Sequence, residues 1–218
     1  MRIVSAVPPR KPQPEPSHAA DRQAVPRARR AAPRVRLSRD DWIGAALLAL
    51  ADGGTAAVAV EPLAARLGAT KGSFYWHFKD RRELIEAALE TWERTATDDI
   101  IAELETVADP VERLRRGLVV AMELEEDEYP DVRLLPSAAD PVVAPVAARV
   151  QSKRLDFLAR TFREMGFRPA EARRRALLAN SVYLGWFHQR LVMQQRATAR
   201  ERGDYQRAAI KLLTARDD

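Results

Sequence analysis

"LAARLGATKGSFYWHFKDRREL", residues 63–84, is the stretch on which the reading of this chain turns. Phe74, Tyr75, Trp76 and Phe78 fall within five consecutive positions, with His77 among them, although aromatics make up only 6% of the chain. Spacing sorts them. Each residue of an α-helix advances about 100°, so Phe74 and Phe78 share a face, as Leu63 and Leu67 do on the preceding segment. Gly68 closes that segment, and the hydroxyl of Thr70 caps the next. Two short helices with a tight glycine-containing turn between them describe a helix-turn-helix. The two Leu and two Phe then close a small core, and burial of each Phe contributes about 1.5–3 kcal/mol.

The other side of the second helix is different in kind. Trp76 lies about 160–200° round from the two Phe, beside Gly72 and Ser73. Gly72 lets another surface approach closely. Lys71 and Lys79 flank the helix with positive charge, its N-terminal end favours phosphate, and Tyr75 and His77 offer donors at its edges. Small and polar residues at the centre with donors at the rim suit a helix that enters the major groove of DNA. Packing against another part of the protein is the alternative for Trp76. A local cap or an intramolecular bond is the alternative for His77.

Working outward, the pattern stays helical. Ser38 caps a first helix with Asp40 and Asp41 in its first turn, where the helix dipole favours acids. Trp42, Ala45, Ala46, Ala49 and Leu50 recur at helical spacing, and Gly53-Gly54 is expected to end the helix. Pro62 sits in the first turn of the next helix. A long helix follows Asp80 and covers residues 81–106. Pro110 opens another, which ends by the acidic "ELEEDEYP", most simply a solvated helix end. A short element covers 132–139. Further helices run from Pro141 to 165, from Pro169 through Gln195, and over 203–215. The predicted class is all-α, with no alternating strand pattern and no internal repeat.

Composition sets limits. The chain has 218 residues, 46% hydrophobic and 31% charged, enough for one domain or two small ones. It has no cysteine, which excludes disulfides, thiolate metal sites and cysteine nucleophiles. No apolar run approaches the ~18–20 residues that span a bilayer, and the first ten residues lack a secretory hydrophobic core. A cytoplasmic protein with no membrane association is expected. The net charge of +5 is uneven: residues 1–36 hold nine Lys or Arg against two acids, which leaves 27 against 29 in the rest. Residues 1–36 also hold seven of the fourteen prolines. Such a segment cannot offset its ordering entropy by burial, so a disordered tail is expected. It is either a solubilising leader or a basic arm that touches nucleic acid, with Arg34 and Arg36 nearest the folded part.

Residues 38–84 resemble the TetR family of transcriptional regulators. Thr70, Lys71, Gly72, Tyr75, His77, Phe78, Arg81, Glu83 and Leu84 occupy the family's pattern positions. Arg81 stands where the family usually has Lys, and Val60 with Glu61-Pro62 replaces the usual Thr cap. The resemblance implies a three-helix helix-turn-helix domain over 37–85 and a helical ligand-binding and dimerisation domain over 86–218. It implies phosphate contacts from Tyr75, His77 and Lys79, with Ser73 and Trp76 near bases or sugars. Thr55 and Ser38 would add contacts to the DNA backbone.

The region after residue 86 fits that second role on physical grounds. In "RRALLANSVYLGWFHQRLVM", Ala176, Asn180, Tyr183, Phe187 and Leu191 form one stripe, and Leu178, Val182, Gly185 and Gln189 form the opposite one. Two opposed stripes imply two buried faces, one of them at a homodimer interface. Tyr205, Ala209 and Leu212 of the last helix are the expected second contribution. Trp92, Met122, Asn180, Tyr183, Phe187 and His188 are the candidates for lining a cavity, apolar walls with a few polar groups. His188 stands alone, so no metal site is expected, and no cofactor. No catalytic constellation stands out, so an enzyme is not expected. The function expected is a dimeric repressor that a small-molecule effector releases from a palindromic double-stranded operator. A DNA-binding activator whose second domain binds a protein remains the alternative.

Overall fold

The computed structural model describes residues 37–123, 134, 140–194 and 196–216. The proline-rich tail, the acidic run after Glu123 and, apart from Leu134, the short element expected over 132–139 lie outside the described residues. The described residues form one compact unit and are all-α.

Helix α1 spans Arg39–Ala57 and starts where the sequence places it. The Ser38 hydroxyl accepts from the Asp41 backbone N–H and the Asp41 carboxylate accepts from the Ser38 backbone N–H, a reciprocal capping box. Gly53 and Gly54 break the helix but do not end it. Gly54 takes a φ of 63°, open to glycine at little cost, and one more turn follows to Ala57. Helix α2, Val60–Arg66, begins at Ala59 with no side-chain cap. At its end Ala69 N–H donates to Ala64 O and Gly68 N–H to Ala65 O, with Gly68 at φ 63°. This is a Schellman motif, and it sets the tight turn between the two helices. Helix α3, Lys71–Tyr75, is capped by Thr70, whose hydroxyl accepts from Ser73 N–H.

Helix α4 spans Arg81–Glu93, capped by Asp80, and runs through a π-helical turn, Arg94–Asp98, into α5, Asp99–Glu105. The single helix expected over 81–106 therefore carries an inserted π turn. Helix α6 covers Pro110–Glu123, α7 Ala144–Glu164, α8 Pro169–Met193 and α9 Ala199–Thr214. Helix α7 starts three residues after Pro141, because Asp140 and its carboxylate first hold a turn over Val142 to Ala144. Helix α9 starts four residues earlier than 203: Thr198 and Glu201 make a capping box, a Thr-x-x-Glu signal in the sequence.

Two cores hold these helices. The first joins Trp42, Leu50, Leu63, Phe74 and Phe78 to Leu84, Leu89 and Trp92 of α4, and continues to Ala147 and Val150 of α7. Leu67 packs half-buried against it. Phe74 meets Trp42 edge-on at 5.4 Å and stacks on Phe78 at 5.6 Å, which fixes α3 under α1. The second core draws on α6, α7, α8 and α9, through Leu118, Phe162, Ala176 and Leu213 among others. Buried Glu93 bonds Arg149 at 2.7 Å and Lys153 at 3.0 Å, and Lys153 also holds Asp98 at 2.7 Å, so α7 grips both ends of the π turn.

Candidate nucleic-acid interface

With Phe74 and Phe78 buried, α3 and the turn after it leave Tyr75 and Trp76 outward. Trp76 is 83% exposed and Tyr75 54%, so neither belongs to the core. Lys79 is also exposed, and its backbone N–H is held by the Glu83 carboxylate at 2.8 Å. Ser73 is half-buried and Gly72 exposed. A Cβ on Gly72 would meet only the Thr70 hydroxyl, at an ordinary 3.7 Å, so nothing inside the protein calls for glycine there.

Other expected contacts are engaged within the protein. His77 is half-buried and its Nε2 lies 3.0 Å from the Leu37 carbonyl, so the ring ties the segment just before α1 to the end of α3. Lys71 donates to Glu61 at 2.9 Å, which links the starts of α3 and α2. That bond raises the Lys71 pKa and lowers that of Glu61. The pair is exposed and open to competition from a phosphate. Ser38 is committed to its capping box, and Thr70 to the Ser73 N–H. Thr55 departs furthest from expectation. Its hydroxyl donates to the Asp140 carboxylate, which that bond holds below its ordinary pKa.

The sequence reading missed Arg81 and Arg39 as organising residues. The Arg81 guanidinium donates to the backbone carbonyls of Val58 and Thr55 at the end of α1, where helix carbonyls lack i+4 partners and, among the described residues, the Thr55 carbonyl otherwise accepts only from the Val58 N–H. A lysine, with no fork, could not hold both in this way. The guanidinium of Arg39, the first residue of α1, lies 4.8 Å over the Phe78 ring and so joins α1 to the turn after α3.

Behind this unit, a mostly apolar cavity of about 100 Å³ opens among the π turn, α5, α6, α7 and α8. Asn180 and Tyr183 line it, with Thr97, Arg113 and Arg154 that the sequence reading did not name. Four other candidates lie elsewhere. Trp92 is fully buried in the first core and Met122 belongs to the second. Phe187 packs edge-on against Tyr183 at 5.3 Å, and His188 is exposed. A heptad-like stripe gives the same pattern for a core wall and a cavity wall, so spacing could not separate them.

Of the expected dimer residues, Leu178, Gly185, Gln189, Tyr205 and Leu212 are exposed and Val182 is half-buried. Ala209 is not on that surface: it is buried in the second core, where α9 meets α6 and α8. Tyr205 packs its ring on Trp186 at 4.6 Å. Among the described residues no group of His, Asp and Glu could hold a metal ion, and no helix is long and apolar enough to cross a membrane.

Comparison with known proteins agrees with this architecture. Residues 43–88 match the model of the bacterial regulatory proteins of the tetR family. Among solved structures, a TetR-family transcriptional regulator from Agrobacterium tumefaciens aligns with a TM-score of 0.65 at 18% identity, over 81% of this chain and 97% of that one. The reduced form of E. coli NemR aligns at 0.63 and 13% identity, over 80% and 94%. A protein from Saccharomonospora viridis solved in complex with choline aligns at 0.61 and 21% identity, over 79% and 95%. No curated protein matches the sequence.

Proposed function

The chain carries a helix-turn-helix of the tetR family of bacterial regulatory proteins, and from that premise we propose that it is a dimeric repressor whose hold on a palindromic operator is relieved by a small molecule. The observation that carries the reading is one anchored helix with an outward face. Phe74 and Phe78 fix α3 to its core while Tyr75, Trp76 and Lys79 stand clear of it. A groove-entering helix needs this division: rigid on one side, with amphipathic and cationic groups on the other.

Two features support the dimer and the effector. Leu178 of α8 and Leu212 of α9 are exposed, as are Leu177, Val192 and Met193. Apolar surface of that extent on two long helices suits a second copy of the chain. Gly185 supports it too, because a Cβ there meets nothing within 4 Å in the protomer, so a partner helix has room to approach. The cavity beside the π turn supports an effector, since α4 and its continuation connect it directly to the helix-turn-helix. The choline found in the S. viridis protein shows that this fold can hold a small molecule. A ligand that prefers one spacing of the two recognition helices shifts the dimer toward it, by no more than its differential affinity.

Fluorescence anisotropy with DNA from upstream of the coding region tests the proposal. The expected result is tight binding to a near-palindrome whose half-sites lie about one helical turn, ~34 Å, apart. Binding no stronger than to scrambled DNA would sink it. Retained operator binding with no small molecule able to release it would favour the activator reading.

A further inference from the structure

One polar side chain in the wall of the cavity is only half used. Asn180 of α8 is 7% exposed and lines the cavity. Its amide nitrogen donates to the side-chain carbonyl of Gln151 on α7 at 3.0 Å, and Gln151 is not part of the wall. The side-chain carbonyl of Asn180 has no partner among the described residues. Gln151 does not answer it, and the Gln151 Nε2 is itself buried without a partner among the described residues. A buried amide with one end free is disfavoured, because burial removes the hydrogen bond that water would otherwise make. At the edge of a ligand-sized space, such an amide is the kind of placed polar group that fixes a ligand's orientation.

The rest of the wall limits what else the ligand can carry. Ile100, Leu104, Leu118 and Phe157 make it apolar. Its two cations are engaged. Arg113 bonds Glu164 at 2.5 Å and the Val107 carbonyl at 3.0 Å. Arg154 donates to the Ala96 carbonyl at 2.6 Å and to the Thr97 hydroxyl at 3.1 Å, both in the π turn. An anion would have to displace such bonds to reach a charged donor. A cation would meet two guanidinium groups and, among the described residues, no carboxylate in the wall, and burying a charge without a partner is costly. The volume, about 100 Å³, is of the order that takes up a single aromatic ring.

We infer that the effector is a small uncharged apolar molecule with one hydroxyl group, and that this hydroxyl bonds the free end of the Asn180 amide. A hydroxyl both donates and accepts, so it answers an amide whichever end faces it. This rests on the reading of the helical region as an effector-binding unit, and it adds the ligand's chemistry and the residue that selects it. A site built to bond a hydroxyl rejects the analogue that lacks one, because its own buried polar group is then left unpaired. Through its bond to Gln151, Asn180 also joins α8 to α7, so the ligand completes a polar contact at the meeting of those two helices.

Calorimetry on the full chain without DNA tests this with phenol and toluene, which differ by a hydroxyl in place of a methyl group, and with benzoate as the charged probe. A wholly apolar cavity favours toluene, since a hydroxyl carried in without a partner is penalised. Phenol should instead bind the wild type at least as tightly as toluene, and benzoate at least about tenfold more weakly than phenol. Asn180→Leu, of similar shape, should shift the ratio of phenol to toluene affinity at least about tenfold toward toluene. Toluene bound more tightly than phenol by the wild type overturns the inference, as does no phenol binding at millimolar concentration. A ratio that Asn180→Leu leaves unchanged also overturns it, and so does benzoate binding that matches phenol's. If Asn180→Leu does not fold, Asn180→Ser serves: it draws the polar group back from the cavity and should move the ratio severalfold in the same direction. DNA binding is measured separately on the same samples. Its failure alongside an intact phenol preference counts against the regulator reading alone, and the reverse against this inference alone.

Discussion

Thr55 donates its hydroxyl to the carboxylate of Asp140, 85 residues further along the chain. The bond fastens the last turn of α1, inside the helix-turn-helix, to the turn that precedes α7. Asp140 is held in place by the Val142 N–H at 2.8 Å, so the strap is anchored at both ends. A threonine that resemblance assigns to DNA is thus turned inward.

Thr55→Val should remove this strap while keeping the side chain's shape. A lost bond to a charged acceptor costs about 1–2 kcal/mol, which should appear as a lower melting temperature. The dependence of DNA affinity on salt should not change. A reduced salt slope would return Thr55 to the DNA.

Gly72→Ala separates folding from binding. The new Cβ meets nothing tighter than 3.7 Å, and φ at this position is not left-handed. Alanine in place of helical glycine stabilises by about 0.5–1 kcal/mol. The variant should melt higher and bind the operator more weakly, because the methyl group stands where the groove approaches. Unchanged affinity would mean that no such approach occurs at residue 72.

Trp76→Ala tests the exposed face. At 83% exposure the side chain contributes little to the fold, so thermal stability should stay within about 0.5 kcal/mol. Specific DNA affinity should fall. A large drop in melting temperature would instead place Trp76 in a packed contact.

Lys79→Ala should weaken binding to every sequence and reduce the slope of log affinity against log salt by about one. The backbone there is held by Glu83 whatever the side chain, so the turn should survive. An unchanged slope would remove Lys79 from the phosphate contacts.

Acid should loosen the grip of α7 on α4. The Arg149 bond, reinforced by Lys153, holds the Glu93 carboxyl below its ordinary 4.5, and the Thr55 hydroxyl holds Asp140 below 3.8. Both folded-state values are depressed. Their contribution is therefore complete above the unfolded values and lost as pH falls through the folded ones. Melting temperature should be level from neutral pH to about 5 and fall below about 4. Glu93→Gln should melt lower at neutral pH and show a shallower acid slope. An acid slope equal to the wild type's would mean that Glu93 does not contribute.

Much of the fold was legible because it depends on neighbours within about one turn. The spacing of Phe74 and Phe78, the Thr70 cap and Gly68 after Leu67 determine α2, the turn and α3 through backbone geometry that each short segment carries by itself. The opposed stripes of α8 implied two buried faces; within the protomer Ala176, Asn180, Tyr183 and Phe187 are buried, while Leu178, Gly185 and Gln189 are exposed. Periodicity alone could not say which buried positions border empty space. Trp92 and Tyr183 are equally good wall residues on a helical wheel, yet only Tyr183 meets the cavity.

By itself, then, the sequence determined an all-α fold class with a helix-turn-helix near its start and a Trp76 on the side away from Phe74 and Phe78, since those follow from rotation per residue and from caps. Only the tertiary structure decided that Thr55 bonds Asp140, that His77 bonds Leu37, and that Arg154 holds a π turn over a cavity. Each of those joins groups 40 or more residues apart in the chain. A polar side chain bonds whatever donor or acceptor packing brings within reach, and that partner is set by how the helices stack, not by the residues beside it.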